Sequence, residues 1–446
     1  MNAPQLCDIR PCLEGAVPAM MATCAEDGMP NVAYLSQVYY VDERHVALSF
    51  QFFNKTRRNI LANPHGTVLV LHPQTAAFYR LHIRYLRTET EGPLFEGMKA
   101  QLAGIASHTG MQDVFRLLGA DVYEVERIEA VEGEPLPPLP ARTGTLTAVR
   151  RCSEQLSRCT SLDEALNSVL GTLTDFMKVE HAMVLMLDPA SQTLYTVASC
   201  GYPISGVGSE IGMGQGVIGV AARERTPVRI THMTNAYRYS QAVRIGFEAA
   251  SADSPAATEI PYPGLPAPHS QLAAPLLSGG RLLGVLFVES PNDMQFGFEE
   301  EDMLVAMAGH LAAAVSLMQA STESPEPPPR EERPAKQAVG VPLQVRRFAS
   351  NDSVFIDNAY LIKGVAGAIL WKLLRDYVQL GRTEFSNREL RLDASIRLPD
   401  VTDNLEARLV LLRRRLAEHG PHVRIEKTGR GLFRLVVQRP VELTQA

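Results

Sequence analysis

Residues 401–437 read VTDNLEARLVLLRRRLAEHG followed by PHVRIEKTGRGLFRLVV, and this stretch decides how the end of the chain is organised. In its first half leucine recurs at helical spacing, which predicts an amphipathic helix with one apolar stripe made of Leu405, Leu409, Leu412 and Leu416. Four arginines lie mostly off that stripe, namely Arg408, Arg413, Arg414 and Arg415. A Gly-Pro pair follows at Gly420 and Pro421, and it ends the predicted helix.

The second half of the stretch predicts a basic β-hairpin. Two strand-like runs, VRIE and LFRLVV, are joined by a turn that holds Lys427, Gly429, Arg430 and Gly431. A helix followed by a basic hairpin is the layout of a winged helix, in which the helix enters the major groove and the hairpin lies on phosphates or the minor groove. A helix with a solvated arginine face would show the same charge run, so this alternative stays open.

The residues before this stretch predict two further helices. Residues 361–381 carry apolar side chains at helical spacing, and in FSNRELRL a capping box is formed by Ser386 and Glu389. Residues 351–437 resemble the effector domain of response-regulator-type transcription factors. In that family the basic helix carries an LRxxL-like pattern, here LLRRRL, and the hairpin has a Gly-x-Gly turn with an aromatic residue, here GRGLF.

This resemblance implies double-stranded DNA as a partner. The DNA-binding candidates are Arg408, Arg413, Arg414, Arg415, Lys427 and Arg430. Arg408 and Arg415 lie seven residues apart and share a helix face, so Arg408 is expected to reach base edges and Arg415 to lie nearer the phosphates. Lys427 and Arg430 on the hairpin are expected to touch phosphate.

Charge is distributed unevenly along the 446 residues, whose formal net charge is −6. From residue 341 onward, 18 Lys and Arg stand against 12 Asp and Glu, whereas the remainder holds 25 against 37. A basic end on an acidic body is typical of a nucleic-acid contact confined to one domain. The length allows three domains, and 46% hydrophobic with 21% charged residues is ordinary globular composition.

The cysteine pattern argues against a zinc site or a disulfide framework, because the six cysteines are scattered without CxxC spacing. No secretory signal is recognisable, and the longest apolar run, residues 303–318, contains His310 and is shorter than a membrane span. We therefore expect a cytoplasmic protein with no membrane partner.

Two proline-rich breaks, EGEPLPPLPARTG and STESPEPPPREERPAKQ, divide the chain. They predict a first domain over residues 1–131, a linker over 132–144, a second domain over 145–320, a linker over 321–344 and a third domain over 345–440.

The first domain reads as mostly β. Its ATxxxDGxPNV run over residues 22–32 and its KTxRNIxxNP run over residues 55–64 resemble the pyridoxamine-phosphate-oxidase-like split β-barrels, which bind FMN and related flavins. Lys55, Thr56 and Arg58 at a helix start offer two cations, a hydroxyl and free backbone donors, which suits a phosphate. The resemblance implies that Lys55 and Thr56, with Arg58, hold the FMN phosphate, that Ser49 and Gln51 lie on the strand lining the isoalloxazine, and that two subunits share the flavin.

Other interpretations of this domain stay open. KTRRN could be a surface turn of a barrel that has lost its flavin. Some relatives bind haem instead, with His65, His72 and His82 as candidate ligands. The substrate-binding Arg/His pair of the true oxidases is not found, which disfavours an enzyme.

The second domain resembles a GAF domain. The features that carry this are GQGVIGVA over residues 214–221 with the TPV that follows, and the hairpin LAAPLL with RLLGVLFVES. The glycine pattern is not a dinucleotide fingerprint, because no βαβ unit follows. A pocket for an unidentified small molecule is predicted from Tyr237, Tyr239, Arg244 and Phe247; a ligandless, dimerising domain is the alternative.

Together these features predict a multidomain α+β protein with a split β-barrel, a GAF α/β sandwich and a C-terminal winged helix. We expect a homodimeric, bacterial-type one-component transcription regulator that senses a small ligand or redox state and binds DNA, without catalytic residues or a metal site. The alternatives are an FMN-dependent oxidoreductase with regulatory domains, and a dimeric scaffold with neither ligand.

Overall fold

The computed structural model describes residues 4–13, 17–35, 38–50, 55–108, 117–136, 144–231, 260–320, 340–396, 398, 405–429 and 431–446. The helices are α1 (Lys55–Ala62), α2 (Pro93–His108), α3 (Thr145–Leu156), α4 (Leu162–Met177), α5 (Gly216–Glu224), α6 (Phe298–Ala320), α7 (Gly364–Leu380), α8 (Asn387–Leu392) and α9 (Leu405–His419).

The first domain is a curled antiparallel sheet of seven strands in the order β2-β1-β5-β6-β7-β4-β3. These strands are β1 (Ala19–Cys24), β2 (Pro30–Leu35), β3 (Val38–Tyr40), β4 (His45–Phe50), β5 (His65–Leu71), β6 (Phe78–Glu89) and β7 (Gly119–Ala130). A 3-10 helix, Cys7–Leu13, packs its buried Ile9 and Leu13 into the same core as Leu81 and Ile83 of β6. α1 packs on β1 and β2.

The second domain contains a six-stranded antiparallel sheet in the order β10-β9-β8-β13-β12-β11. Its strands are β8 (His181–Asp188), β9 (Thr193–Cys200), β10 (Glu210–Gly212), β11 (Val228–Ile230), β12 (Ser270–Ser278) and β13 (Arg281–Ser290). Because side chains alternate along a strand, the two faces carry different cores. Val184 and Leu286 face the layer of α3, α4 and α6, whereas Leu185 and Phe287 face α5.

A helix of the first domain packs into the core of the second domain. Ala100 of α2 is fully buried in the core beneath α5. Phe298 at the start of α6 lies between two guanidinium groups, with Arg10 at 3.9 Å and Arg229 at 4.3 Å from its ring centre. Arg229 also donates from Nε to Glu301 at 2.6 Å. These contacts fix the first two domains against each other.

Residues Phe298–Gln319 of α6 are long and apolar enough to cross a membrane by length and composition. In the structure, however, Leu304, Met307 and Leu311 of this helix are fully buried in the second domain. The apolar character of α6 is thus explained by its place in a protein core.

The third domain begins and ends with the same sheet, which has the order β16-β15-β14-β20. β14 and β20 are parallel, with Leu343 opposite Val441. A second sheet has the order β17-β19-β18; along the chain α7 precedes β17, and α8 and α9 lie between β17 and β18. The strands are β14 (Leu343–Phe348), β15 (Ser353–Ile356), β16 (Ala359–Ile362), β17 (Glu384–Ser386), β18 (Val423–Gly429), β19 (Leu432–Val437) and β20 (Val441–Gln445).

The predicted order of helix, short helix, basic helix and hairpin is confirmed for this domain as α7, α8, α9 and β18–β19. The predicted N-cap at Ser386 is confirmed as well, since Ser386 accepts a hydrogen bond from the Glu389 N–H at 3.2 Å. In the second domain Ser161 caps α4 in the same way and accepts a hydrogen bond from the Glu164 N–H at 3.4 Å. The sheet formed by β14, β15, β16 and β20 is an addition that the sequence analysis did not predict.

Candidate functional site

The first turn of α1 presents the predicted phosphate-binding residues. Lys55 and Arg58 are exposed, and because they are three residues apart they share one face of the helix. Thr56 is half-buried, and its hydroxyl accepts a hydrogen bond from Asn31 Nδ2 at 3.0 Å. Its own proton therefore stays available for donation. Two exposed cations and a hydroxyl beside helical N–H groups fit the phosphate of a flavin nucleotide.

Arg57, which the sequence analysis did not single out, turns inward instead. Its guanidinium group binds both oxygens of Asp121 at 3.1 and 3.2 Å, and Thr88 donates to the same carboxylate at 2.5 Å. Asp121 is only 6% exposed, and this burial raises its pKa, against the opposing effects of Thr88 and Arg57. The pair ties α1 to β7 and so fixes the direction in which Lys55 and Arg58 point.

The other residues predicted to bind a cofactor in the barrel lie at separate places or outside the described residues. Ser49 lies half-buried on β4, opposite Ala120 of β7, and Gln51 lies outside the described residues. The haem candidates do not converge: His65 faces Glu126 at 3.6 Å, His82 faces Glu129 at 3.3 Å, and His72 accepts from the backbone N–H groups of its own turn. Among the described residues there is no cluster of three potential metal ligands.

The predicted pocket residues of the second domain, Tyr237, Tyr239, Arg244 and Phe247, lie outside the described residues. A different set of polar residues is brought together on the α5 face of the sheet. We call it the polar row: His181, Glu289 and Gln271 stand side by side on β8, β13 and β12.

The polar row centres on a buried carboxyl group. Glu289 is 1% exposed and accepts hydrogen bonds from the Leu265 N–H at 2.8 Å and from Gln271 Nε2 at 3.0 Å. Burial raises the pKa of Glu289, although both hydrogen bonds oppose this. Within the described part of the chain, Gln271 Oε1 and His181 Nδ1 are buried without a hydrogen-bond partner. Unsatisfied buried groups are costly, so this row has the polarity to receive a ligand or an ordered water.

A cavity of about 550 Å³ lies at the same edge of the domain, a size that would admit a small molecule. It is lined from four segments: α3, the end of α4 with the residues after it, the end of β13, and the start of α6 with the residues before it; the lining includes Ala148, Phe176, Glu180, Ser290, Phe296 and Met303. The sequence analysis did not predict it, because its lining comes from four separate segments.

Helix α9 carries the predicted DNA-reading arginines, and the structure places this helix against the second domain. Arg408 is 5% exposed, lies 3.0 Å from Asp188 and stacks over the ring of Tyr195 at 4.2 Å. Although partial burial opposes ionisation, Arg408 holds the pKa of Asp188 below its ordinary value. In this arrangement Arg408 cannot reach a base edge.

Arg414 is engaged with the same domain. It donates to Asp163 at 2.7 Å, to Asn167 Oδ1 at 2.8 Å and to the Val197 carbonyl at 3.1 Å. Arg415 instead binds within the third domain, to the Leu361 carbonyl at 3.0 Å and to Glu418 at 2.8 Å.

Three further residues were predicted to contact DNA. Arg413 is half-buried, Lys427 is exposed on β18, and Arg430 lies outside the described residues. Arg408 and Arg415 share a helix face as expected, but that face is covered rather than solvated. The alternative of a solvated arginine face is therefore contradicted for Arg408 and Arg414.

Comparison with known proteins identifies two of the three domains. Residues 161–315 match the GAF domain family, and residues 8–126 match the pyridoxamine 5'-phosphate oxidase family. No curated protein matches the chain.

Several solved structures resemble one domain each. The GAF domain of a phosphoenolpyruvate-protein phosphotransferase from Acinetobacter is 21% identical, covering 40% of this chain and 97% of that chain with a TM-score of 0.31. Free methionine-R-sulfoxide reductase from Neisseria meningitidis, in complex with its substrate, is 17% identical, covering 41% and 97% with a TM-score of 0.32. An FMN-binding protein from Syntrophomonas wolfei subsp. wolfei is 17% identical, covering 28% and 84% with a TM-score of 0.25. The chain thus joins a split barrel of the pyridoxamine 5'-phosphate oxidase type to a GAF domain and to an α/β third domain that neither family match covers.

Proposed function

We propose that this chain is a one-component transcription regulator, in which the barrel and the GAF domain sense a signal and the third domain binds double-stranded DNA. The observation that carries the proposal is the arrangement of α7, α8 and α9 ahead of the β18–β19 hairpin. This is the layout of a winged helix, with arginines on α9 and Lys427 exposed on the hairpin. The excess of basic residues after residue 341 supports the same function.

We propose FMN as the cofactor of the barrel. The match to the pyridoxamine 5'-phosphate oxidase family supports it, as do the exposed cations of α1. Lys55 and Arg58 would pair with the phosphate charge, and Thr56 would donate its hydroxyl proton to a phosphate oxygen. A bound flavin would supply electron or hydride transfer, which would give the regulator a redox signal.

For the GAF domain we propose a small ligand at the polar row. Gln271 Oε1 can only accept hydrogen bonds, and the Glu289 carboxylate accepts them whenever it is ionised. A ligand that presents N–H donors, such as an ammonium or amidinium group, would satisfy both. Such a cation would also favour ionised Glu289 and so offset the cost of its burial.

We propose a homodimer built through the barrel. β2 lies at the edge of the seven-stranded sheet, and its Val32 and Tyr34 are 67% and 80% exposed. Leu61 on the neighbouring helix α1 is 59% exposed. A symmetric copy that covers this apolar patch would bury all three side chains.

The decisive experiment is a salt titration of binding to genomic DNA fragments, with the intact protein and with residues 341–446. Arg430→Ala should weaken binding similarly on every sequence and reduce the salt slope by about one unit. In the isolated domain, Arg408→Ala should cost about 1–3 kcal/mol on the true operator and much less on random DNA. If neither protein binds duplex DNA at low salt, the regulator is refuted and the FMN-dependent oxidoreductase takes its place.

A further inference from the structure

The side of α9 that faces away from the third-domain core is not free, because the GAF domain covers it. Arg408, Leu411, Arg415 and Glu418 recur at the spacing of one helix face. Leu411 is 4% exposed, and its Cδ1 atom lies 3.6 Å from the position that a Cβ atom on Gly208 would take. Gly208 has φ +90°, so a larger residue there would be strained as well as crowded.

We propose that this contact is an internal block: the GAF domain occupies the DNA-reading face of α9, so the chain binds DNA tightly only after the two domains separate. The inference rests on the proposed DNA-binding function and adds the means of its regulation. We call the contact the α9 interface and define it by Arg408, Leu411 and Arg414 of α9 with Asp163, Asp188 and Gly208 of the GAF domain.

Charge complementarity supports the block. The guanidinium groups of Arg408 and Arg414 would pair with phosphates or base edges on DNA, and in the closed chain they pair with the carboxylates of Asp188 and Asp163. Beside them, Lys363 at the start of α7 lies 3.0 Å from Glu210 of β10. The acidic groups of the GAF domain thus take the place of the DNA backbone.

The ion pairs in and beside the α9 interface are partly exposed to solvent, which is typical of a contact that can open. Arg408 is buried, but the side chains of Arg414 and Asp163 are 21% and 31% exposed, and those of Lys363 and Glu210 are 30% and 37% exposed. Exposed ion pairs are weak and are screened by salt. Contacts between domains of one chain commonly allow relative motion.

The α9 interface is also connected to the polar row through the sheet. α9 rests on β9, where Arg414 reaches the Val197 carbonyl and Arg408 covers Tyr195. β9 is hydrogen-bonded to β8, which carries His181. The α9 interface and the polar row also share β8, which carries Asp188 at one end and His181 at the other.

The test uses the full chain with Asp163→Asn and Asp188→Asn combined, which removes two carboxylates without changing side-chain size. The control combines Asp175→Asn with Asp302→Asn, two exposed GAF residues that contribute no carboxylate to the α9 interface, and gives the same change in net charge. Affinity for a random-sequence DNA duplex is measured against salt. The radius of gyration without DNA is measured by small-angle X-ray scattering.

We expect the D163N/D188N variant to expand and to bind the duplex at least tenfold more tightly than the wild type and the control. Equal affinity of the wild type and an expanded variant would overturn the block while leaving DNA binding intact. Expansion with no DNA binding by any form would refute the proposed function instead. If the variant does not expand, Asp163→Lys is tested, since it repels Arg414; a compact D163K variant with wild-type affinity would also overturn the block.

Discussion

Lys372 offers a sharp test of the electrostatics that hold the third domain together. This residue of α7 is 9% exposed, and its Nζ atom lies 2.6 Å from Asp376 and 2.9 Å from Asp393, which follows α8. Although burial opposes it, hydrogen bonds from Ser395 and Lys372 lower the pKa of Asp393 from 3.8 to about 2. That depression corresponds to at most about 2 kcal/mol of stability at neutral pH, and solvent screening of the partly exposed Asp393 reduces this contribution.

We expect Lys372→Met to destabilise the third domain by about 2–4 kcal/mol at pH 7. The variant loses part of the stability that the lowered pKa of Asp393 provides. It also leaves Asp376, which is 6% exposed, without its ammonium partner. Arg375 at 3.7 Å from Asp376 compensates in part. The difference in stability between Lys372→Met and the wild type should be smaller below about pH 4, because protonation of Asp393 removes the stability that its depressed pKa gives the wild type. This difference should also shrink above about pH 10.5, because Lys372 then begins to lose its proton and with it the stability that its raised pKa provides.

The assay is urea unfolding followed by tryptophan fluorescence, because Trp371 is the only tryptophan of the chain and lies in this domain. The matched control is Arg424→Met, since Arg424 is 48% exposed and 3.8 Å from Glu426. An exposed pair of this kind contributes at most about 1 kcal/mol. A Lys372→Met variant no less stable than the control would refute the reasoning.

Three further predictions concern the other domains. Lys55→Ala should weaken FMN binding at least tenfold in a fluorescence titration, because a charged hydrogen bond contributes about 1.5–3 kcal/mol; unchanged affinity, or no FMN uptake by the wild type, contradicts the phosphate site. Glu289→Gln should raise the melting temperature at neutral pH, and the gain should vanish as the pH falls toward 4.5, because burial raises the pKa of Glu289 and makes its ionised form destabilising; a pH-independent difference would point to packing instead. Tyr34→Asp should turn a dimer into a monomer in light scattering, whereas a monomeric wild type at micromolar concentration would exclude the dimer.

Much of the fold could be predicted because the signals are local. The capping boxes at Ser161 and Ser386 fix helix starts by hydrogen bonds that span three residues. The glycine-rich turn before α5 and the leucine spacing of α9 are equally short-range patterns. Each such pattern predicts an element wherever the element packs.

The surroundings of α9 could not be predicted, because they depend on residues far away in the sequence. The arginines of α9 look like a solvated face until Asp163 and Asp188, more than 200 residues earlier, are placed opposite them. The same limit applies to KTRRN in α1. Its three cations look equivalent in sequence, and only Asp121 on β7 determines that Arg57 turns inward while Arg58 stays exposed.

The parallel pairing of β14 with β20 brings the two ends of the third domain side by side, since Leu343 lies opposite Val441. A domain whose ends meet can be inserted into a surface loop of an unrelated carrier protein without stretching either partner. It can equally be permuted by joining those ends and opening a turn elsewhere. Residues 343–445 therefore have the end-to-end geometry of a transplantable module, and grafting them away from the GAF domain would uncover Arg408 and Arg414 of α9.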